Sequence, residues 1–275
     1  GTVTLKDTSK VKNYKLPITT YDVSATIAQA ATPAAPTGLT GVKDQLLSTV
    51  SLAAHPGWSW ADGAVSMSTA GSQNFNANYH DSNGNYANGT NVAVNVNVVN
   101  KADTGVTITG LPGTVSYGQK FTLAASQTGD TTGANKKWTW DYDRGYFKLV
   151  GPNANTETIT LQAIKAGTPT KGITATYESG THKGSATVNA VVEKKEVTVT
   201  AGSYKVNKTY DGTTNAGTAT GELNVTGILS ADSGVTVKVT PVAYTSANVG
   251  GQTSMNVSIA LDGTGKDNYK IKNGA

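Results

Sequence analysis

The chain has 275 residues, and its 22 basic and 18 acidic side chains leave a formal charge of only +4. A nucleic-acid-binding protein concentrates Lys and Arg on one face. Here Arg144 is the only Arg and the Lys residues are scattered, so we expect no nucleic-acid partner. No apolar run reaches the roughly 18–20 residues that span a bilayer, so no membrane insertion is expected in this segment. The lack of Cys excludes a disulfide framework.

Apolar and polar residues alternate along much of the chain, which is typical of strands with one buried face. The clearest run is Asn91–Val98, which places Val92, Val94, Val96 and Val98 on one face and mostly Asn on the other. In chain order, the pattern predicts strands at Tyr21–Ala30, Val92–Ala102, Ser185–Lys195, Glu196–Thr200, Val235–Thr240 and Met255–Ala260. Helix signals are weak throughout, because no helical periodicity lasts long enough to form a stable helix.

Turn signals separate these strands at short intervals. Five pairs are typical of hairpin turns: Asp62-Gly63, Asn83-Gly84, Asn88-Gly89, Asp211-Gly212 and Asp262-Gly263. Short strands with frequent turns favour sandwiches. The sequence therefore predicts an all-β protein of tandem immunoglobulin-like (Ig-like) β-sandwich modules joined by short linkers.

Three long predicted strands each end in a short polar segment, which we interpret as a linker. The boundaries then fall near residues 31, 102 and 195. The predicted modules are residues 1–31, the terminal strands of a preceding module; 32–102; 103–194; and 195–275, a module lacking its last strand.

A repeat links the first and last of these modules. Leu5–Leu16 and Leu261–Lys272 share Leu, Thr, Lys and Asn-Tyr-Lys in the same order, with Asn-Tyr-Lys shifted by one residue, and only the first copy continues into a predicted strand, Tyr21–Ala30. A sandwich without its last strand exposes a sheet edge. One hypothesis is that Tyr21–Ala30 pairs with such an edge in its own chain or in another copy. A fragment boundary is the explanation that we favour for the split repeat.

Three segments of the last module resemble the YDG repeat of bacterial surface proteins: Lys208–Thr214, Tyr244–Gly250 and Asp267–Tyr269. The second module, with Pro56–Trp60 and Phe75–Tyr79, resembles the Ig-like modules that neighbour such repeats in large Gram-positive, Clostridia-like surface proteins. The third module, with Ile108–Pro112 and Val115–Gly118, is similar to other bacterial Ig-like modules. The resemblance implies a secreted, multi-repeat cell-surface protein, and it brings no catalytic residues.

Aromatic residues form the main candidate site. Trp138, Trp140 and Tyr142 alternate along one strand and share a face. Sandwiches of this type bury an aromatic residue on a central strand, so the row is first of all a candidate for the core. The alternative is a platform that stacks on sugar rings, with one end of the row exposed. Under that alternative these three residues are the ligand-binding site.

Metal and catalytic signatures are weak. Asp81–Asn85 begins like a calcium loop, but its sixth position is Tyr86 and its twelfth is Val92, so the EF-hand pattern fails. The histidines His55, His80 and His182 share no ligand spacing. No Gly-x-Ser-x-Gly motif is present. We expect no cofactor, no metal and no catalytic residues. An internal Lys–Asn or Lys–Asp isopeptide bond stays open, because the sequence does not select its residues.

The predicted function is a non-catalytic stalk or spacer of a bacterial adhesin, located outside the cell at the wall or surface. Its expected partners are neighbouring modules of the same protein. Two alternatives remain: a module that binds host or dietary glycans or a host glycoprotein, and a subunit that assembles with another copy by β-strand exchange.

Overall fold

The computed structural model of the protein describes residues 24–131, 135–151, 155–250 and 255–272. Within these residues the regular structure is β, apart from three short 3₁₀ helices at Leu47–Thr49, Ser230–Asp232 and Lys266–Asn268. The chain divides into two compact units, Gly1–Asn100 and Lys101–Ala275. Among the described residues, no helix has the length and apolar character needed to cross a membrane.

The first unit is built on one four-stranded sheet. Its strands are β1 (Leu39–Val42), β2 (Trp58–Trp60), β3 (Gly71–Tyr79) and β4 (Gly89–Val99). They lie in the order β1–β4–β3–β2. β1 runs parallel to β4, and the other two pairs are antiparallel. The segment from β1 to β3 carries the first 3₁₀ helix and an isolated bridge between Leu46 and Ser66.

The alternation along β4 is confirmed. Val94 and Val96 are fully buried and Val98 nearly so, whereas Asn95 and Asn97 face solvent. The buried face packs against a small cluster that includes side chains of the 3₁₀ segment: Leu47, Val50 and Met67. This segment therefore covers the sheet as a second layer.

The strand predicted at Tyr21–Ala30 is absent from the described part of that segment. Residues from Ser24 to Gln29 belong to no strand, and Ala30 makes only an isolated bridge with Tyr86. The reason is that the segment buries no apolar face, since Ile27 is 98% exposed. Residues 21–23 and the repeat copy Leu5–Leu16 lie outside the described residues.

The second unit opens with a β-sandwich. Its strands are β5 (Ala102–Asp103), β6 (Gly105–Thr109), β7 (Val115–Ser116), β8 (Lys120–Thr128), β9 (Lys137–Asp141), β10 (Phe147–Leu149), β11 (Thr158–Ala163), β12 (Ile173–Glu178), β13 (His182–Val188) and β14 (Val192–Glu193). One sheet has the order β10–β11–β8–β6 and the other β5–β13–β12–β9.

The inner faces of these two sheets form one core. Leu123, Leu161, Ile173 and Tyr177 are fully buried in it. The predicted all-β, Ig-like sandwich is thus confirmed in this part of the chain.

The strand predicted at Ser185–Lys195 is divided in the structure. β13 ends at Val188, and the chain then leaves its sheet. β14 pairs in parallel with β7 instead, and Val192 exchanges two backbone hydrogen bonds with Gly167. The alternating pattern hid this change of partner, because Val188 at the end of β13 packs against the same core in which Val192 of β14 is buried.

The remainder of the second unit contains seven strands: β15 (Lys195–Thr200), β16 (Lys205–Asn207), β17 (Thr218–Thr220), β18 (Asn224–Thr226), β19 (Thr236–Tyr244), β20 (Met255–Asp262) and β21 (Tyr269–Ile271). They form the sheets β18–β15–β21, β16–β17 and β19–β20. Val197, Val199, Val235 and Tyr269 form their core. The strands predicted at Glu196–Thr200, Val235–Thr240 and Met255–Ala260 are confirmed, and the last two extend further than predicted.

Candidate functional site

The aromatic row lies inside the sandwich. Trp138, Trp140 and Tyr142 are 5%, 7% and 7% exposed. The Trp138 ring packs on Tyr177 at 5.0 Å between ring centroids, and the Trp140 indole N–H donates to the carbonyl of Thr156 at 2.8 Å. The row therefore lies in the core, which was the first of the two interpretations of the sequence, and none of the three side chains reaches solvent as the alternative required. Sugar binding by these three residues is untested, and their burial argues against it because no ring face is open.

The acidic residues that resembled calcium ligands hold turns together. Asp81 accepts backbone N–H groups from Asn83, Asn85 and Tyr86 at 2.7–3.0 Å. These hydrogen bonds, the Asn83 bond first, lower the pKa of the Asp81 carboxyl. Among the described residues, no group of three or more His, Asp or Glu side chains is placed to hold a metal ion.

The three segments that carry the YDG resemblance lie in two places. Asp267–Tyr269 meets the preceding sandwich, whereas Lys208–Thr214 and Tyr244–Gly250 surround a cleft on the same module. The first place is a joint between the sandwich and the last seven strands.

The linker at this joint is one residue long. β14 ends at Glu193 and belongs to the sandwich, while β15 begins at Lys195 in the next module, so Lys194 alone lies between them. Such a short connection leaves few backbone dihedrals free to change the angle between the modules.

Two tyrosines and one carboxylate form the polar part of the joint. Tyr117, from the sandwich, donates its hydroxyl to Asp232 Oδ1 at 3.3 Å. Tyr269 donates to Asp232 Oδ2 and accepts the backbone N–H of Leu229 at 3.1 Å. The two rings meet edge to face, with centroids 5.4 Å apart. Asp232 thus receives one hydroxyl from each side of the joint.

Both tyrosines are protonated donors at neutral pH. Burial, and then the hydrogen bond to Asp232, raise the pKa of Tyr269 to about 12. Burial and the Asp232 bond also raise the pKa of Tyr117. Because phenols donate only when protonated, these shifts extend the pH range in which both hydroxyls donate to Asp232 beyond that of an ordinary tyrosine.

Apolar packing and a backbone hydrogen bond close the joint. Gly118 has φ +83°, a conformation that favours glycine, and Leu229 packs so close to it that an added Cβ would lie 2.5 Å from Leu229 Cδ1. Nearby, the Ala166 backbone N–H donates to Asn268 Oδ1 at 2.9 Å. The contacts bring together parts of the chain that are about a hundred residues apart.

The sequence pointed to only part of this joint. Tyr117, Gly118 and the Asp267–Tyr269 segment carried the resemblances, but Leu229 and Asp232 lie in a segment without any motif. A Tyr followed by Gly in a short turn was the available signal, because an aromatic side chain has a large apolar surface to bury and a tight turn offers little to cover it.

One protein family matches the last part of the chain. The family model of the YDG domain matches residues 193–275. No curated protein matches the chain. The YDG match points to a binding or structural module. It covers less than half of the chain, so it describes the last module alone.

Solved structures show only distant likeness to this chain. The eight N-terminal Ig domains of Down Syndrome Cell Adhesion Molecule are 9% identical, with a TM-score of 0.30, over 83% of this chain and 30% of that one. The amphioxus IgVJ-C2 molecule is 13% identical, with a TM-score of 0.25, over 51% and 73%. Domains 4 and 5 of the S-layer protein SbsC are 17% identical, with a TM-score of 0.20, over 52% and 82%. Because these TM-scores are low, the fold assignment rests on the strand pairing of the structure and not on these likenesses.

Proposed function

We propose that this chain is a non-catalytic spacer in the stalk of a bacterial surface adhesin. The observation that supports this role most directly is the joint at Lys194, where Tyr117 and Tyr269 donate to the same carboxylate, Asp232. A protein whose modules only needed to be connected would require no such network. A spacer does require it, because its modules must keep a fixed direction.

The proposed mechanism is mechanical. The sandwich and the last module each bury a core of their own, so either can be stable in a row of modules. The one-residue linker and the packing of Leu229 on Gly118 oppose bending. A row of such modules would project a distal binding domain away from the cell wall.

The location and partners belong to the same proposal. The YDG match at residues 193–275 is consistent with an extracellular position, and the nearly neutral surface rich in Thr, Asn and Gly suits a solvated stalk. The partners would be neighbouring modules, and the module boundaries would lie near residues 31, 102 and 195. A Gram-positive, Clostridia-like source follows from the sequence resemblance alone.

Residual dipolar couplings test the spacer role, because they report the orientation of each module in a weakly aligned sample. If the joint is rigid, one alignment tensor fits the amides of residues 101–193 and 195–272 together. In a Tyr117→Ala/Leu229→Ala variant, the two sets should require different tensors.

The matched control is Tyr210→Ala, which changes an exposed tyrosine of the same module, 62% exposed. This variant should keep the single tensor. Two unrelated tensors in the unmodified protein would contradict the proposal, since the modules would then move independently.

A further inference from the structure

A cleft of about 270 Å³ opens on the last module, away from the residues that form the joint. Its lining comes from the end of β16 with the loop that follows it and from the end of β19 with its own loop. These loops contain Lys208–Thr214 and Tyr244–Gly250, two of the three segments with the YDG resemblance. The third segment, Asp267–Tyr269, lies at the joint, whereas the two segments around the cleft make no contact described for the joint.

Exposed apolar side chains border this cleft. Tyr210 is 62% exposed and Val249 is 80% exposed, although both belong to the cleft lining. Large apolar groups left in water contribute little to the stability of a module. Grouped around a concavity, they instead offer a surface to a ligand.

The wall of the cleft is preorganised by Lys208 and Tyr244. The Tyr244 hydroxyl donates to the carbonyl of Val206 at 2.7 Å, and Lys208 Nζ lies 5.5 Å from the Tyr244 ring centroid. Lys208 also donates to Asp211 Oδ1 at 2.8 Å and to the carbonyl of Thr213 at 2.6 Å. Both side chains are thus fixed before any ligand arrives, which lowers the entropy cost of binding.

The charge of the cleft is balanced internally. The Lys208 ammonium is paired with the Asp211 carboxylate, and its remaining donors are used by Thr213. An ammonium has three donors, so this one keeps none for an anionic ligand. The paired charges favour a neutral ligand over an acidic one.

Amide and hydroxyl groups complete the lining. The exposed residues Asn207 and Asn248 each carry an amide that both donates and accepts, and Ser246 carries a hydroxyl. Aromatic faces next to such groups suit a ligand with an apolar face and a rim of hydroxyls, which is the chemistry of a sugar ring.

We propose that this cleft binds a neutral carbohydrate, with a sugar ring stacked on Tyr210 and its hydroxyls bonded to the amides of Asn207 and Asn248. The volume lies just below the usual range for small-molecule sites, about 300–1,000 Å³, which suits one short sugar segment. The proposal goes beyond the spacer role and does not depend on it, because the cleft lies away from the joint. Binding and rigidity are also tested by different measurements.

The test uses the full chain and defined probes: cellotetraose, xylotetraose, maltotetraose and the tetramer of N-acetylglucosamine, with a heparin tetrasaccharide as the acidic comparison. Calorimetry gives Kd, and amide chemical shifts locate the site. The variants are Tyr210→Ala, which removes the stacking face, and Ala247→Trp, which fills the cleft. Tyr86→Ala, an exposed tyrosine of the other unit, is the matched control.

At least one neutral probe should bind with shifts centred on Tyr210 and Tyr244. Tyr210→Ala and Ala247→Trp should each raise Kd about tenfold or more, while Tyr86→Ala leaves it unchanged. Circular dichroism checks that the variants are folded. If Tyr210→Ala does not fold, Ala247→Trp alone tests the site. The proposal is overturned if no neutral probe binds at millimolar concentration, if binding survives both variants, or if the heparin fragment binds more strongly.

Discussion

At the scale of single residues, the sandwich core contains a polar cluster around Asp130. The carboxyl side chain of Asp130 is fully buried, and the Tyr177 hydroxyl donates to it at 2.7 Å. His182 Nδ1 lies 3.6 Å from the other carboxyl oxygen. Burial, and then the hydrogen bond to Asp130, raise the pKa of Tyr177, so its hydroxyl remains a donor. A buried carboxyl group is costly without such partners.

Replacing Tyr177 with Phe should therefore lower the free energy of unfolding by about 1–3 kcal/mol, because a buried acceptor loses a donor while the ring packing stays. Urea denaturation measures the change. Tyr210→Phe, on an exposed ring, should stay within about 0.5 kcal/mol of the unmodified protein. Equal stability of the two variants would show that the Tyr177 hydrogen bond contributes nothing.

The two buried tryptophans offer a second comparison. Trp140 donates its indole N–H to Thr156, whereas the Trp138 indole nitrogen is buried and has no hydrogen-bond partner among the described residues. Trp140→Phe loses a hydrogen bond, but Trp138→Phe removes an unsatisfied polar group. Trp140→Phe should thus cost about 1 kcal/mol more in urea denaturation. The reverse order would contradict the hydrogen bonding described.

At the scale of structural elements, alternation along the sequence was a reliable guide to strands and a poor guide to their partners. β4 was predictable because Val and Asn alternate over a strand with one dry face. The division of Ser185–Lys195 into two strands was not, because it depends on Val115–Ser116 pairing with Val192–Glu193 from 77 residues away. The burial of the Trp138–Tyr142 row was one of two open interpretations, and the size of the surrounding core decided it.

The loop between β16 and β17 makes a prediction about pH. Hydrogen bonds from Lys208 first, and then from Thr213, lower the pKa of Asp211 to about 2, from its ordinary value of 3.8. A lowered pKa means that the carboxylate stabilises the folded loop above pH 3.8, and that this contribution fades as the pH falls towards 2.

An NMR titration of the Asp211 carboxyl carbon should give a midpoint near 2 in the unmodified protein. In a Lys208→Met variant the midpoint should move up towards 3.8, because the largest cause of the shift is removed. A midpoint of 3.8 in both proteins would mean that the Lys208–Asp211 pair does not form in solution.

At the scale of the whole molecule, the joint at Lys194 holds the two modules of the second unit against each other. Its contacts join Tyr117 to Asp232, 115 residues apart, so no local pattern could predict them. The angle between modules has to be known before such a pair can be recognised. The resemblance to the YDG repeat identified Asp267–Tyr269 as distinctive, but only the structure assigns this segment to the joint.

The rigidity of that joint is the central claim, and pulsed electron–electron resonance between two spin labels tests it most directly. The chain has no Cys, so Ser185→Cys on β13 and Thr240→Cys on β19, both exposed, would carry the only labels. We predict one narrow distance distribution that broadens when Tyr117→Ala and Leu229→Ala are added. A distribution that is already broad, and that these substitutions leave unchanged, would contradict a rigid spacer.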